Sequence, residues 1–163
     1  MPFMDGRLRG YGEPIMKKMK MMLVDDEERF LSTTKKLLGK KGYDVVTATS
    51  GAEALEKIRV QNIHVVILDV KMPGMDGIAT LKEIKRQFPL IEVIMLTGHA
   101  TIESAVDGLK SGAIDYLTKP ADINEIIEKA EQAFEKRQDL EEKIRVAQMR
   151  KLMKSPSQII QET

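Results

Sequence analysis

The chain has no cysteine, almost no net charge and no long hydrophobic run among its 163 residues. The absence of cysteine excludes disulfides, thiolate chemistry and cysteine-based zinc sites. A net charge of +1 gives no reason to expect nucleic acid or an acidic lipid surface as the main partner. No segment approaches the ~18 consecutive apolar residues of a membrane span, and the first residues lack the apolar stretch of a secretory signal. We therefore expect a cytoplasmic protein.

The composition fits a globular protein with one domain. Apolar residues make up 42% of the chain and charged residues 31%. A chain of this length can bury roughly two-thirds of its unfolded surface. We expect a disordered leader over residues 1–19, one folded domain over 20–136, and a helical extension or linker and tail over 137–163.

Short apolar strands alternate with helical patterns along the folded part. The predicted strands cover residues 21–24, 44–49, 65–70, 92–96 and 114–118. A helical pattern with apolar residues three and four apart follows each strand, and the last helix is long. Strict alternation predicts an α/β fold with a five-stranded parallel sheet covered on both faces. Fully apolar strands such as VVIL fit a sheet that is buried on both sides.

Local signals mark where several of these helices begin. Ser50 and Glu53 form a capping-box pair at the start of the second helix, and Asp122 and Glu125 form another at the start of the last. The first helix is predicted over 27–41. Its residues at helical spacing are Phe30, Thr34, Leu37 and Leu38.

Polar residues collect where the predicted strands end. Asp25 and Asp26 follow the first strand, Asp69 ends the apolar run of the third, Thr97 follows the fourth, and Lys119 follows the fifth. The carboxyl ends of parallel strands share one edge of a sheet, where ligands bind. Carboxylates held close together repel one another, so a hard cation such as Mg²⁺ and the charge of Lys119 would stabilise them. An accessible aspartate in such a site is a candidate nucleophile for an aspartyl-phosphate intermediate.

Four segments of the chain resemble the receiver domain of bacterial two-component response regulators. They are LVDDE at 23–27, VVILDVKMPGMDG at 65–77, VIMLTGHA at 93–100 and AIDYLTKP at 113–120. The resemblance covers about residues 20–136 and implies a doubly wound, flavodoxin-like sheet with strand order 2-1-3-4-5. It also implies a phosphorylation-dependent signalling switch. Such a protein does not turn over an external substrate but catalyses its own aspartyl phosphorylation and dephosphorylation.

The resemblance also assigns roles to single residues. Asp69 would accept the phosphoryl group, and Lys119 would contact a phosphoryl oxygen. Asp26 and Asp69 would bind Mg²⁺ directly, with Mn²⁺ as a possible substitute, and Asp25 would act at least partly through water. The backbone carbonyl of Lys71 would complete the protein's share of the metal ligands. The peptide bond before Pro120 is expected to be cis.

The switch residues implied by the resemblance are Thr97 and Tyr116. The Thr97 hydroxyl would donate to the bound phosphoryl group, and a hydrogen bond to a charged group is worth about 1.5–3 kcal/mol. That energy shifts a two-state equilibrium roughly 10- to 100-fold. Tyr116 would turn inward as Thr97 moves, changing the face built by the fourth helix, fifth strand and fifth helix. The implied partners are a sensor histidine kinase or phosphotransfer protein and a downstream output protein or domain.

Other interpretations of the same residues remain open. An acidic pair such as Asp25–Asp26 is often a solvated loop or a helix cap, and Tyr116 could be a half-buried strand aromatic. A phosphatase or dehalogenase with an aspartate nucleophile usually has a second acid two residues later, where this chain has Lys71. An interaction domain that never takes phosphate typically lacks one of the acids, the threonine or the lysine. A nucleotide-binding flavodoxin-like role is weaker, because the first turn carries acids where phosphate requires glycines and amides.

The segment after residue 135 departs from a minimal receiver. Leu140, Ile144 and Ala147 recur at spacings of four and three, with Arg137 and Lys151 interrupting the pattern. A solvated continuation of the last helix and a dimerising coiled coil both fit this pattern. The end is basic but has no interleaved aromatics, so we do not expect direct nucleic-acid binding. The final residues resemble the segment that opens the ATPase domain of enhancer-binding regulators, although no GxxxxGK[ST] motif is present.

Overall fold

The computed structural model describes residues 19–70, 77–98 and 102–153, which form five strands and five helices in strict alternation. The strands are β1 Lys20–Val24, β2 Asp44–Ala48, β3 Val65–Leu68, β4 Glu92–Thr97 and β5 Asp115–Thr118. The helices are α1 Glu28–Lys40, α2 Gly51–Val60, α3 Gly77–Gln87, α4 Ile102–Lys110 and α5 Ile123–Leu152. The predicted order of elements is confirmed, and each strand has one boundary as predicted and one that differs by one or two residues.

All five strands are parallel and lie in the order β2-β1-β3-β4-β5. This confirms the doubly wound α/β fold and the strand order that the resemblance implied. The register pairs Val24 of β1 with both Ala48 and Leu68, and it pairs Leu68 with Met95. The carboxyl ends of the three central strands therefore lie at nearly the same level, which brings the residues that follow them together.

The sheet has an apolar core on each face. Alternate residues of β1 point to opposite sides, because successive side chains of a strand do so. Met22 and Val24 pack with residues of α2 and α3, whereas Met21 and Leu23 pack with residues of α1 and α5. Each of these four side chains is at most 1% exposed. Burial on both faces explains why the strands are apolar throughout rather than alternating.

Two helix starts differ in detail from their predicted caps. The Ser50 hydroxyl accepts a hydrogen bond from the Glu53 amide at 3.1 Å, as predicted, but the Glu53 carboxylate accepts from the Thr49 amide instead of that of Ser50. Asp122 lies at the N-cap of α5, yet its side chain makes no capping bond within the described part of the chain. The Glu125 amide bonds the Asp122 backbone carbonyl instead.

The apolar face of α1 is also slightly rotated from the prediction. Leu31, Thr34 and Leu38 are buried, whereas Leu37 is 43% exposed. In the first turn of α1 the buried residue is Leu31 rather than Phe30. The face that α1 turns toward the sheet is therefore shifted by one residue from the predicted face. Phe30 is only partly buried, at the edge of this core.

The last helix is much longer than the others. It has 30 residues, which corresponds to a length of about 45 Å. Its buried residues are Ile126, Ala130, Ala133 and Arg137, spaced four, three and four apart. The helix is continuous across the boundary predicted at residue 136, and no helix in the described ranges is long and apolar enough to cross a membrane.

Candidate functional site

The polar residues at the strand ends are held by backbone hydrogen bonds that continue the sheet. The Asp69 amide donates to the Val24 carbonyl at 2.9 Å, and the Asp25 amide donates to the Ala48 carbonyl at 3.1 Å. The Lys119 amide donates to the Thr97 carbonyl at 2.9 Å. The position of each side chain is therefore fixed by a buried strand just before it.

Three carboxylates meet at this edge of the sheet. One oxygen each from Asp25, Asp26 and Asp69 lies within 4.8 Å of the others. Asp25 is 1% exposed and Asp69 6% exposed, whereas Asp26 is open to solvent. Buried carboxylates that close together need positive charge nearby. Hard oxygen ligands of this kind suit Mg²⁺, so the donor set fits the ion that the resemblance implied.

Lys119 supplies positive charge to the cluster from the end of β5. Its Nζ lies 2.5 Å from Asp25 Oδ2 and 3.9 Å from Asp69 Oδ2. Burial opposes the charged form of Lys119, but hydrogen bonds to Asp25 and Glu27 and the charges of Asp25 and Asp69 outweigh it and raise the pKa of the ammonium group. Lys119 is therefore a fixed cation at any physiological pH. The Lys119–Pro120 peptide is cis, as expected.

Two residues at this site were not assigned a role from the sequence. Glu27 Oε1 lies 2.8 Å from Lys119 Nζ, and the ring centroid of Phe30 lies 4.6 Å from the same nitrogen. The hydrogen bond from Lys119, with its charge, lowers the pKa of the Glu27 carboxyl. The signal available in the sequence was their spacing, because residues three apart at the start of a helix share one face. Phe30 looked like a core residue of α1 instead.

The two predicted switch residues have different surroundings. Thr97, the last residue of β4, is 4% exposed, and Tyr116 in β5 is 39% exposed. They lie on neighbouring strands, because β4 pairs with β5 through Met95 opposite Tyr116 and Thr97 opposite Thr118. In this state the tyrosine ring is outside the core, which is the position from which the predicted inward turn would begin.

Gly77 brings the chain back to the sheet after the acidic cluster. It is the first residue of α3, and its amide donates to the Val70 carbonyl at 2.8 Å. A Cβ at this position would lie 2.4 Å from Val70 Cα and 2.6 Å from the Asp69 carbonyl oxygen. Only glycine allows this approach, so the last residue of the VVILDVKMPGMDG segment has a packing reason to be what it is.

Some predicted features lie outside the described residues. Lys71, whose backbone carbonyl was predicted to bind the metal, falls within residues 71–76. Residues 1–18 of the leader predicted over 1–19, and residues 154–163 of the extension and tail predicted over 137–163, also lie outside the described ranges. Met19, the last residue of the predicted leader, is described and is 6% exposed. The remaining predicted site residues, Asp25, Asp26, Asp69, Thr97 and Lys119, all lie at one edge of the sheet, with Tyr116 on the strand beside Thr97.

A family model for the response regulator receiver domain matches residues 21–131. The chain belongs to this family. The chain is 44% identical over 114 residues to the transcriptional regulatory protein ZraR of Escherichia coli K12. Those residues are 70% of this chain and 26% of ZraR. The chain is 37% identical over 119 residues to the DNA-binding transcriptional regulator NtrC of the same strain, covering 73% of this chain and 25% of NtrC.

Solved receiver structures have the same fold. A receiver domain protein from Methanospirillum hungatei JF-1 is 30% identical with a TM-score of 0.72, over 76% of this chain and 98% of that one. The receiver domain of NtrX from Brucella abortus is 36% identical with a TM-score of 0.67, over 71% of this chain and 98% of that one. The receiver spans about a quarter of the length of the curated relatives it matches. Membership of the family makes it a receiver domain of the two-component response regulator type, which implies phosphorylation-dependent switching.

Proposed function

We propose that this receiver is a switch that accepts a phosphoryl group on Asp69. The observation that carries the proposal is the convergence of Asp25, Asp26 and Asp69 within 4.8 Å, with the Lys119 ammonium beside them. Asp69 directly follows β3, so the hydrogen bond of its amide to Val24 fixes its backbone while its carboxylate lies at the carboxyl edge of the sheet. A rigid nucleophile beside a fixed cation is the arrangement that phosphoryl transfer requires.

The acidic cluster would hold Mg²⁺. Asp26 and Asp69 would bind it directly, Asp25 at least partly through water, and the Lys71 carbonyl would complete the protein's ligands. When bound, the ion neutralises charge on the phosphoryl oxygens and on the carboxylates. The exposed position of Asp26 supports this assignment, because a metal that also binds a phosphoryl oxygen must be reachable from solvent.

In the transfer step, a carboxylate oxygen of Asp69 attacks phosphorus. The new bond is between that oxygen and phosphorus, and the bond that breaks is P–N of a kinase phosphohistidine or P–O of a small donor such as acetyl phosphate. Acetate is the leaving group in the second case. The Lys119 ammonium keeps its proton and stabilises the phosphoryl oxygens electrostatically. Hydrolysis of the acyl phosphate by water would return the carboxylate and release inorganic phosphate.

The signal would pass from the site through Thr97 to Tyr116. The Thr97 hydroxyl would donate to the new phosphoryl group, which draws the end of β4 toward Asp69, and Tyr116 would then turn inward from its exposed position. The α4–β5–α5 face would change shape and alter partner binding or dimerisation. Because ZraR and NtrC are transcriptional regulators, we propose that a sensor histidine kinase acts upstream and a transcriptional output domain or protein downstream. We further propose a receiver domain over residues 20–136, against which Arg137 still packs, with the remaining helix as the connection.

The test is incubation with Mg²⁺ and acetyl phosphate, followed by intact mass. We expect wild type to gain one phosphoryl group in a Mg²⁺-dependent manner and Asp69→Asn to gain none. Asp44→Asn is the matched control, because it removes the same charge from an exposed residue at the opposite end of the sheet. A folded wild-type protein that gains no mass with any donor would contradict the proposal and favour an interaction domain that never takes phosphate.

A Thr97→Ala variant separates acceptance of the phosphoryl group from propagation of the signal. It keeps Asp69, the acidic cluster and Lys119, so we expect it to gain the same mass as wild type. It lacks the hydroxyl that links the phosphoryl group to β4, so we expect no change in amide hydrogen exchange of β5 and α5 on phosphorylation. The same exchange response in wild type and variant would remove Thr97 from the switch.

A further inference from the structure

Lys119 is closer to two other acids than to the proposed phosphoacceptor. Its Nζ lies 2.5 Å from Asp25 and 2.8 Å from Glu27, but 3.9 Å from Asp69. An ammonium group has three N–H donors, and two of them are used by these shorter contacts. The lysine is therefore bound to a carboxylate outside the acidic cluster.

Glu27 makes this contact from a position where its residue type is unusual. It is the N-cap of α1, with extended backbone angles of φ −87° and ψ 99°, and its side chain forms no capping hydrogen bond among the described residues. Serine, threonine, aspartate and asparagine are preferred at an N-cap because their short side chains reach the exposed amides. Glu27 is longer and extends to Lys119 instead. Helix capping therefore does not explain why a glutamate is present here.

The two partners of Lys119 differ in how easily they can be exchanged. The Asp25 side chain is 2% exposed, whereas the Glu27 side chain is 64% exposed. Phe30, one turn further along α1, covers another side of the ammonium group at 4.6 Å. Any movement of Lys119 toward a group on Asp69 loosens the solvent-exposed contact first, because water can replace the lysine at Glu27 and cannot at Asp25.

We propose that Glu27 is a positioning residue that holds Lys119 beside Asp25 before phosphorylation and competes with the phosphoryl group for the lysine. This inference rests on the proposed function of Asp69. A phosphoryl group on Asp69 adds further negative charge and acceptor oxygens close to Lys119, and the lysine exchanges Glu27 for one of them. An exposed ion pair is worth a factor of about two to five in such an equilibrium. Glu27 thus lowers the ratio of phosphorylated to unphosphorylated protein by that factor.

The first test uses the metal-free, unphosphorylated protein. Reactivity of Lys119 toward an amine-directed acylating reagent is measured by peptide mass in wild type, Glu27→Gln and Glu27→Ser. We expect the rate at Lys119 to rise about two- to five-fold in both variants, because an ion pair to Glu27 no longer holds the ammonium group. Glu28→Gln is the matched control: it removes the same charge from the next residue, which is exposed and in the first turn of α1. Its Lys119 rate should equal that of wild type.

The second test measures the ratio of phosphorylated to unphosphorylated protein at one fixed acetyl phosphate concentration with Mg²⁺. We expect the ratio to rise about two- to five-fold in Glu27→Gln and Glu27→Ser relative to Glu28→Gln. Serine is a better N-cap than glutamate, so Glu27→Ser should melt at the same or a higher temperature than wild type. A structural role for Glu27 would instead lower the melting temperature and leave the phosphorylation ratio unchanged.

The outcomes separate this inference from the proposed function. A rise in both Lys119 reactivity and phosphorylation supports the inference. Unchanged Lys119 reactivity in Glu27→Gln overturns it, as does increased reactivity with an unchanged phosphorylation ratio. If wild type takes up no phosphate, the proposed function of Asp69 fails and the competition for Lys119 fails with it, while the reactivity test still decides whether Glu27 holds the lysine.

Discussion

Gly77 is the residue whose identity is most strictly determined by the backbone around the site. Replacing it with alanine would place Cβ 2.4–2.7 Å from three backbone atoms of Asp69 and Val70, which cannot move without moving the acidic cluster. We expect Gly77→Ala to lower the free energy of unfolding by about 2–3 kcal/mol, because a well-packed site has no room for an added methyl group. Urea unfolding followed by circular dichroism measures the change.

Gly39→Ala is the matched control for this substitution. Gly39 lies in α1, and a Cβ built there meets nothing within 4 Å. Alanine is favoured over glycine inside a helix, so we expect this variant to gain about 0.5–1 kcal/mol of stability. A gain of stability in both variants would contradict this prediction, because it would show that helix propensity outweighs contact with the Asp69 and Val70 backbone at position 77.

Some site residues were predictable from the sequence and others were not. Asp25, Asp69 and Lys119 follow strands, and the parallel topology alone brings strand ends together. Glu27 and Phe30 lie on α1, and their approach to Lys119 depends on how that helix is rotated over the sheet. The rotation is set by which residues pack in the core, and the sequence pattern predicted Phe30 at a position where the structure buries Leu31 instead.

At the scale of elements, α5 is joined to the amino end of the sheet by a buried arginine. Arg137 is 7% exposed, and its guanidinium donates to the Ile63 carbonyl at 2.9 Å just before β3. Glu141, one turn further along α5, pairs with the same guanidinium at 3.2 Å. The aromatic rings of His64 and Phe134 meet edge to face beside it, with centroids 5.1 Å apart. The contacts of the domain therefore continue beyond residue 131, where the family match ends.

We expect Arg137→Met to destabilise the receiver by about 1–3 kcal/mol, because it leaves the Ile63 carbonyl and Glu141 without their donor. Arg145→Met is the control on the same helix: its side chain is 61% exposed and pairs with Glu142, so its effect should stay within about 0.5 kcal/mol. Denaturant midpoints of both variants give the comparison. If Arg137→Met and Arg145→Met unfold at the same denaturant concentration as wild type, α5 beyond residue 136 does not contribute to the stability of the domain.

The sequence pattern of α5 was interpreted correctly in one respect and wrongly in another. Its length and continuity followed from the absence of glycine and proline between residues 123 and 152. Arg137 was read as an interruption of an apolar seam, but the structure places it in the buried stripe. An arginine can lie on such a stripe when backbone carbonyls at the end of a sheet accept its N–H groups, and sequence spacing does not reveal those acceptors.

On the scale of the whole molecule, the buried stripe of α5 continues past the sheet that covers it. Ala133 and Arg137 are buried by the domain, whereas Leu140 and Ile144, three and seven residues further along, are each 41% exposed. In a parallel coiled coil, Leu140 and Ile144 would fall at core positions, and Lys136 would face Glu141 of a second copy. The interface of such a dimer would begin where the contacts of α5 with its own domain end.

We therefore expect the chain to form a parallel dimer through the part of α5 after Arg137. Replacing both Leu140 and Ile144 with glutamate places like charges along the shared seam, so the double variant should be monomeric where wild type is dimeric. Size-exclusion chromatography with light scattering, run at several concentrations with and without acetyl phosphate, measures the mass. Val60→Glu, at an apolar residue of α2 that is 81% exposed and outside this seam, should leave the mass unchanged. A wild-type chain that stays monomeric in both phosphorylation states would exclude the coiled coil. Because no second copy would then bury Leu140, the part of α5 after Arg137 would be a solvated continuation of the helix.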